Sequence, residues 1–188
     1  MFGIKIIEKN KIENLNHLLK DELSRNDIDE YKLTALVEMG ANGISIFPEN
    51  YDSGLMYAVK KKFYEYLKLL VNQVNKDNSE IVDNAFNYAA KNKDEKAALI
   101  ILECQFLHFS RKEKNRQTYL MLSARSGMIK VAKQLIKRRA NIHAIDIDGK
   151  SVLDYAKDSK SNEMIDYIKH VITKDMERLD KIGQKLVI

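Results

Sequence analysis

Apolar residues recur along this chain at spacings of three and four, and alternation of apolar with polar residues nowhere runs for long. That period belongs to short amphipathic helices rather than strands. Lys11–Ser24 is predicted as one such helix, and YKLTALVEMGAN (Tyr31–Asn42) as a second that ends in a Gly-Ala-Asn turn. Beyond residue 50 the pattern becomes periodic on a larger scale. Segments beginning at Ser53, Asn84, Thr118 and Ser151 align with one another at separations of 31, 34 and 33 residues. In each, a first helix carries small residues (Ala58, Ala89 with Ala90, Ala124, Ala156) where a neighbouring helix must come close. A second helix carries bulky apolar groups: Leu67, Leu69 and Leu70, then Ile100, Ile101 and Leu102, then Val131, Leu135 and Ile136, then Ile165 and Ile168. Helices of two or three turns are marginal alone, so these units are predicted to stack and share one core. Met176, Leu179, Ile182 and Leu186 follow at helical spacing and predict a C-terminal capping helix.

With this register in hand, the stretch ANIHAIDIDGKSVLDYAK (Ala140–Lys157) becomes informative. Asp146-Ile147-Asp148-Gly149 starts like a calcium loop, but the alternating oxygen ligands stop at Gly149 and Lys150, Ser151 and Val152 follow. Ala140–Ala144 resembles the G-A-D-V-N-A end of an ankyrin repeat, and Asp146–Ser151 the D-x-x-G-x-T start of the next. The chain therefore resembles the ankyrin repeat family over residues 53–173. The T-P-L-H signature is degenerate: its proline is replaced by Gly54, Ala85, Tyr119 and Val152, and its histidine by Met56, Asn87, Met121 and Asp154. The resemblance implies an all-α ankyrin-type helical repeat solenoid with short β-turn fingers and helical caps. Residues 1–52 would form an atypical N-terminal capping repeat or repeats, 53–173 four ankyrin-like repeats, and 174–188 a C-terminal capping helix. Asp146–Gly149 would be the turn at a finger tip, with Gly149 supplying a positive φ.

Composition narrows the function. The 188 residues are 45% hydrophobic and 31% charged, as in a folded water-facing protein, and no apolar run reaches the length of a membrane span. MFGIKIIEKNKIENL mixes charge into every turn, unlike a secretory signal, and one cysteine (Cys104) permits no intrachain disulfide. The expected location is the cytoplasm, or export without an N-terminal signal if the protein is a bacterial or parasite effector. The richness in Lys, Asn and Ile fits an AT-rich genome. Net charge is +5 but uneven, −3 over residues 1–50 and +8 over the remainder. A basic body can attract an acidic protein or nucleic acid.

No catalytic constellation, metal site or cofactor motif emerges. His17, His108, His143 and His170 are scattered, Cys104 and His108 supply two ligands at most, and there is no phosphate-binding glycine loop. A non-enzymatic, monomeric protein–protein interaction module is the expectation. In ankyrin proteins partners usually dock on the concave face made by fingers and first helices. Carried over by register, that face would present Lys60 and Lys61, Lys91 and Lys93, and Arg125 as a basic column for an acidic partner. The next repeat offers Lys157 followed by Asp158. Phe47, beside Ile44 and Ile46, and Phe106 and Phe109, beside Leu107, are candidate apolar anchors. The alternative is a nucleic-acid binder using the basic body. Against it, no aromatic stacking pattern accompanies the run Arg111–Arg116.

Overall fold

A computed structural model describes residues 2–25, 27–49, 51–105 and 116–186, with side chains from Glu8 to Ile182. Among them the chain forms ten α-helices and no strand: α1 (Phe2–Leu23), α2 (Glu30–Glu38), α3 (Gly54–Lys61), α4 (Tyr64–Gln73), α5 (Glu80–Lys91), α6 (Glu95–Ile101), α7 (Tyr119–Ser126), α8 (Ile129–Lys137), α9 (Val152–Asp158) and α10 (Asn162–Leu186). The fold is an all-α helical repeat, as the apolar spacing predicts. Two compact units divide it, residues 1–89 with 96–107, and residues 90–95 with 108–188.

The repeat register has a backbone signature. Ser53, Thr118 and Ser151 are N-caps whose side-chain oxygens accept from the N–H of Met56 (3.1 Å), Met121 (3.2 Å) and Asp154 (3.3 Å). Each satisfies a donor that the first helical turn leaves orphaned. The chain then turns through left-handed residues at Lys62, Lys93, Gly127 and Lys160, with φ of 60°, 55°, 72° and 59°. These recur at the same 31-, 34- and 33-residue separations as the aligned segments. Ala58, Ala89, Ser123 and Ala156 are small side chains at equivalent positions of the register, each with 0% exposure. Ser123, not Ala124, is therefore the residue equivalent to Ala156, although Ala124 is buried too. The segment expected to start at Asn84 differs. There α5 begins at Glu80, because Glu80 and Asp83 suit a first turn and Val82 is buried, so Asn84 lies inside the helix.

The second helices α4 and α8 lack caps of their own. Neither Phe63 before α4 nor Met128 before α8 makes a side-chain cap bond. A glutamate 35 residues earlier supplies it. Glu30 Oε1 accepts from the N–H of Glu65 (2.9 Å) and Tyr66 (3.3 Å), and Glu95 Oε1 accepts from that of Lys130 (2.8 Å). Glu30 and Glu95 each open a helix of the preceding pair, so one residue serves the start of its own helix and the start of the next.

In the first unit α1 packs on α2, α2 on α4, and α3 on α4. Leu15, Leu19 and Leu23 form the buried stripe of α1, and Leu33 and Val37 that of α2. α1 begins well before Lys11, where the apolar pattern starts to be regular. Gly54, at the signature's proline position, is needed for space: a Cβ there would run into the carbonyl oxygen of Gly43. In the second unit α7 packs on α8 and α9, and α9 on α10. Here α10 runs unbroken from Asn162 to Leu186, so no helix end falls at 173–174. Met164 and Ile168 are buried, but Met176, Leu179 and Ile182 are 55%, 54% and 46% exposed. The side chains expected to seal the end of the core instead extend past it.

Candidate protein-binding surface

The residues singled out as a basic column sit where the first helices end. Lys60 and Lys61 close α3, Lys91 closes α5 and Arg125 closes α7, all exposed. Lys93 occupies the left-handed turn after α5. By register Lys60, Lys91 and Arg125 are equivalent, and the fourth equivalent residue is Asp158, which interrupts the series. Lysine also fills three of the four left-handed turns, where glycine would be unstrained. Lys60 is held by aromatic rings of its own unit, its Nζ 4.9 Å from the centroid of Tyr51 and 5.5 Å from that of Tyr88. Lys157 Nζ donates to Asp154 Oδ1 at 3.2 Å.

Arg125 lies beside a buried polar network that the sequence shows only in part. Asp146 is buried, and its Oδ1 accepts from the N–H of Asp148 (2.9 Å) and Lys150 (2.8 Å). Its Oδ2 accepts from the Tyr155 hydroxyl at 2.7 Å, and Gln117 Nε2 donates to that hydroxyl at 2.7 Å. The bond from Tyr155 and those from the backbone hold the Asp146 carboxyl below its ordinary pKa. Burial, aided by Asp146, raises Tyr155 to about 12, opposed by Gln117 and the Arg125 charge. Gly149 turns at φ 77°, and Ile145 and Ser151 pair across the turn as an isolated antiparallel bridge. Asp146–Gly149 is thus a finger turn whose carboxylate is consumed by local donors. Asp154 completes a reciprocal cap with Ser151, accepting from its hydroxyl (2.6 Å) and its N–H (3.0 Å). Those bonds bring its pKa to about 2.

Of the proposed apolar anchors, Phe47 and Ile46 are half-buried and Ile44 is buried. Phe47 and Pro48 line a hollow of about 380 Å³ with Lys20, Leu23 and Ser24 at the end of α1, so the ring is partly covered within its own unit. Phe106 and Phe109 lie outside the described residues. Cys104 is buried. Among the described residues, no three His, Cys, Asp or Glu side chains come together as metal ligands. Nor is any helix there long and apolar enough to cross a membrane.

Residues 86–178 match the family model for ankyrin repeats (3 copies). This segment belongs to the ankyrin repeat family. A search of curated proteins finds no match. Ankyrin repeats are in general protein–protein interaction modules and typically non-enzymatic. The Thr118, Ser151 and Asp146 bonds are then this chain's version of the ankyrin finger and cap. The inter-repeat glutamate caps and the left-handed lysines were missed from the sequence. Their signal was a Glu recurring 34 residues before α4 and α8 begin, and a Lys nine residues after Ser53, Asn84 and Ser151, where Thr118 is followed instead by Gly127.

Proposed function

We propose that the protein is a non-enzymatic, monomeric interaction module that recognises an acidic protein surface through the ends of its first helices. The observation that carries this reading is the recurrence of exposed cations at equivalent positions, Lys60, Lys91 and Arg125, joined by Lys61 and by Lys93 in a strained turn. Exposed charges steer encounter and fix register while adding little to folding. A lysine retained in a left-handed turn that glycine would relax is a further pointer, since backbone strain gathers at functional positions. A repeat module of this kind, rich in Lys, Asn and Ile, suits an effector acting on another organism's protein.

Affinity capture with mass spectrometry would supply a partner for the test. Lys91→Glu with Arg125→Glu should abolish its binding, with unchanged circular dichroism. Lys137→Glu with Lys169→Glu, on second helices, should spare it. Lys130 and Lys133 make poor controls, because Lys130 pairs with Glu95 and Lys133 lies over the Tyr167 ring. Equal loss in both variants would show that only total charge matters. The alternative, nucleic acid held by the basic body, predicts oligonucleotide binding that weakens steeply with salt. Tight oligonucleotide binding at near-physiological salt, abolished by the first variant, would replace the protein reading.

A further inference from the structure

The second unit carries a groove that uses none of these helix-end cations. It has a volume of about 650 Å³ and lies between the turn that follows α8 and the extended part of α10. Ile142, buried, and Ile136 and Val171, half-buried, give it an apolar floor. Arg139, Lys174 and Arg178 line it and are exposed. Val171, Lys174, Asp175 and Arg178 are spaced three and four apart, so α10 turns one face to the groove, and Ile182 continues that face one turn on. The one carboxylate in the lining, Asp175, is engaged: its Oδ2 lies 2.9 Å from His143 Nε2. The cations around it are left in excess.

Two observations separate this groove from an ordinary lysine-rich surface. First, it exists because α10 continues past Thr173, where the core has already been closed by Met164 and Ile168. Second, Arg139 sits in the left-handed region at φ 62°, whereas the matching turn of the first unit has Gly40 at φ 115°. An arginine replaces glycine at the position where only glycine is unstrained, and it does so on the groove's rim.

We infer that this groove is a second docking site, one that takes a short acidic peptide segment of a partner protein, with an aliphatic side chain on the Ile136–Ile142–Val171 floor and flanking carboxylates on Arg139, Lys174 and Arg178. Arginine suits this role because its planar fork receives a carboxylate through paired hydrogen bonds. A phosphodiester chain would satisfy the cations but leave the apolar floor unused, and no Phe, Tyr or Trp lines the groove for a base to stack on, its one ring being the His143 imidazole engaged with Asp175.

The test is selection of random short peptides displayed on phage against the full chain, followed by fluorescence anisotropy with the synthesised winners. The expected winners carry several carboxylates around an aliphatic residue. Arg139→Gly with Lys174→Glu and Arg178→Glu should weaken them at least about tenfold, as should replacing the peptide's aliphatic residue by serine. Arg139→Gly relaxes the turn, so loss of binding would not be loss of fold. Lys91→Glu with Arg125→Glu should change affinity less than about twofold, because those side chains lie outside the groove. Winners without acidic residues, or winners that bind the groove variant as well as the parent, would overturn the inference. So would winners lost only on the Lys91/Arg125 variant, an outcome that leaves the helix-end reading standing. An oligonucleotide that displaces the peptides and is itself lost on the groove variant would reassign the site to nucleic acid.

Discussion

The turns Gly40–Ala41–Asn42–Gly43 and Arg139–Ala140–Asn141–Ile142 stand 99 residues apart at matching places in the two units, and their surroundings differ. In both, the asparagine side chain caps the next step of the chain: Asn42 Oδ1 accepts from Ser45 N–H at 3.1 Å and Asn141 Oδ1 from His143 N–H at 2.9 Å. In the first unit the neighbours then close over the turn. Gln73 accepts from Gly43 N–H (3.0 Å) and donates to the Ala41 carbonyl (2.8 Å), while Asn16 accepts from Asn42 N–H (2.8 Å). In the second unit the corresponding place is an open groove, crossed by the His143–Asp175 contact. The buried hydroxyls contrast the other way. Tyr155 has two partners, whereas Tyr57 and Tyr66 have none for their hydroxyls. One repeat plan thus supports a turn locked by amides in one unit and a turn opened for a ligand in the other.

The largest effect should come from the small buried residues at equivalent positions in each unit. Ala156→Asp places a carboxylate at a fully buried position between helices and should lower stability by about 3 kcal/mol or more. Ala58→Asp should do the same in the first unit. Both are read as shifts of the urea midpoint, and a thermal midpoint within about two degrees of the parent at either site would break the shared register.

Acid should next distinguish the second unit. Asp146 and Asp154 have folded pKa values below the ordinary 3.8, Asp154 at about 2, so their ionisation favours the folded state. That contribution is complete above the unfolded value and is lost as pH falls from about 4 toward about 2. Urea midpoints measured across this window should fall, and Asp154→Asn should flatten the dependence. A slope unchanged by Asp154→Asn would count against the reciprocal cap with Ser151.

Exchanging the turn residues tests the comparison directly. Gly40→Arg forces a side chain into a backbone conformation it rarely adopts and should destabilise by about 1–2 kcal/mol. Arg139→Gly should instead stabilise by up to about 1 kcal/mol, since relief of strain exceeds the added freedom of the unfolded chain. If Arg139→Gly destabilises, the arginine is packing its own unit and not waiting for a ligand. Glu30→Ala and Glu95→Ala should each cost about 1 kcal/mol, with Glu30 the more costly because it caps two donors. Equal neutrality of both would remove the inter-repeat cap from the account. The smallest change should be Tyr66→Phe, within about 0.5 kcal/mol of neutral because its hydroxyl has no partner to lose, against about 1–2 kcal/mol for Tyr155→Phe, which strands Asp146 and Gln117. Calorimetry of the pair would show whether that order holds.

Much of the fold was legible because its signals are local. Ser53, Thr118 and Ser151 are cap residues in sequence as in space, Gly149 marks its own turn, and the apolar spacing identifies helices without reference to neighbours. The candidate site was only half legible. The helix-end cations follow from register, but Lys60 lying over Tyr51 and Tyr88 does not, because one ring precedes its helix across a turn and the other belongs to the next repeat. Met176, Leu179 and Ile182 have the spacing of a packed face, and spacing cannot tell a face that meets the core from one that extends past it.

The sequence by itself determined the repeat: its length, its capped starts, the small residues at its helix contacts and the family to which residues 86–178 belong. These depend on dihedral preferences, capping and periodicity, which act within a few residues. Tertiary structure alone decided that Glu30 and Glu95 cap helices of the following pair, that Gln73 locks one turn, and that α10 leaves a basic groove beside the other. Each of those joins groups some thirty residues or more apart, and only the stacking of one repeat on the next determines which side chains will meet.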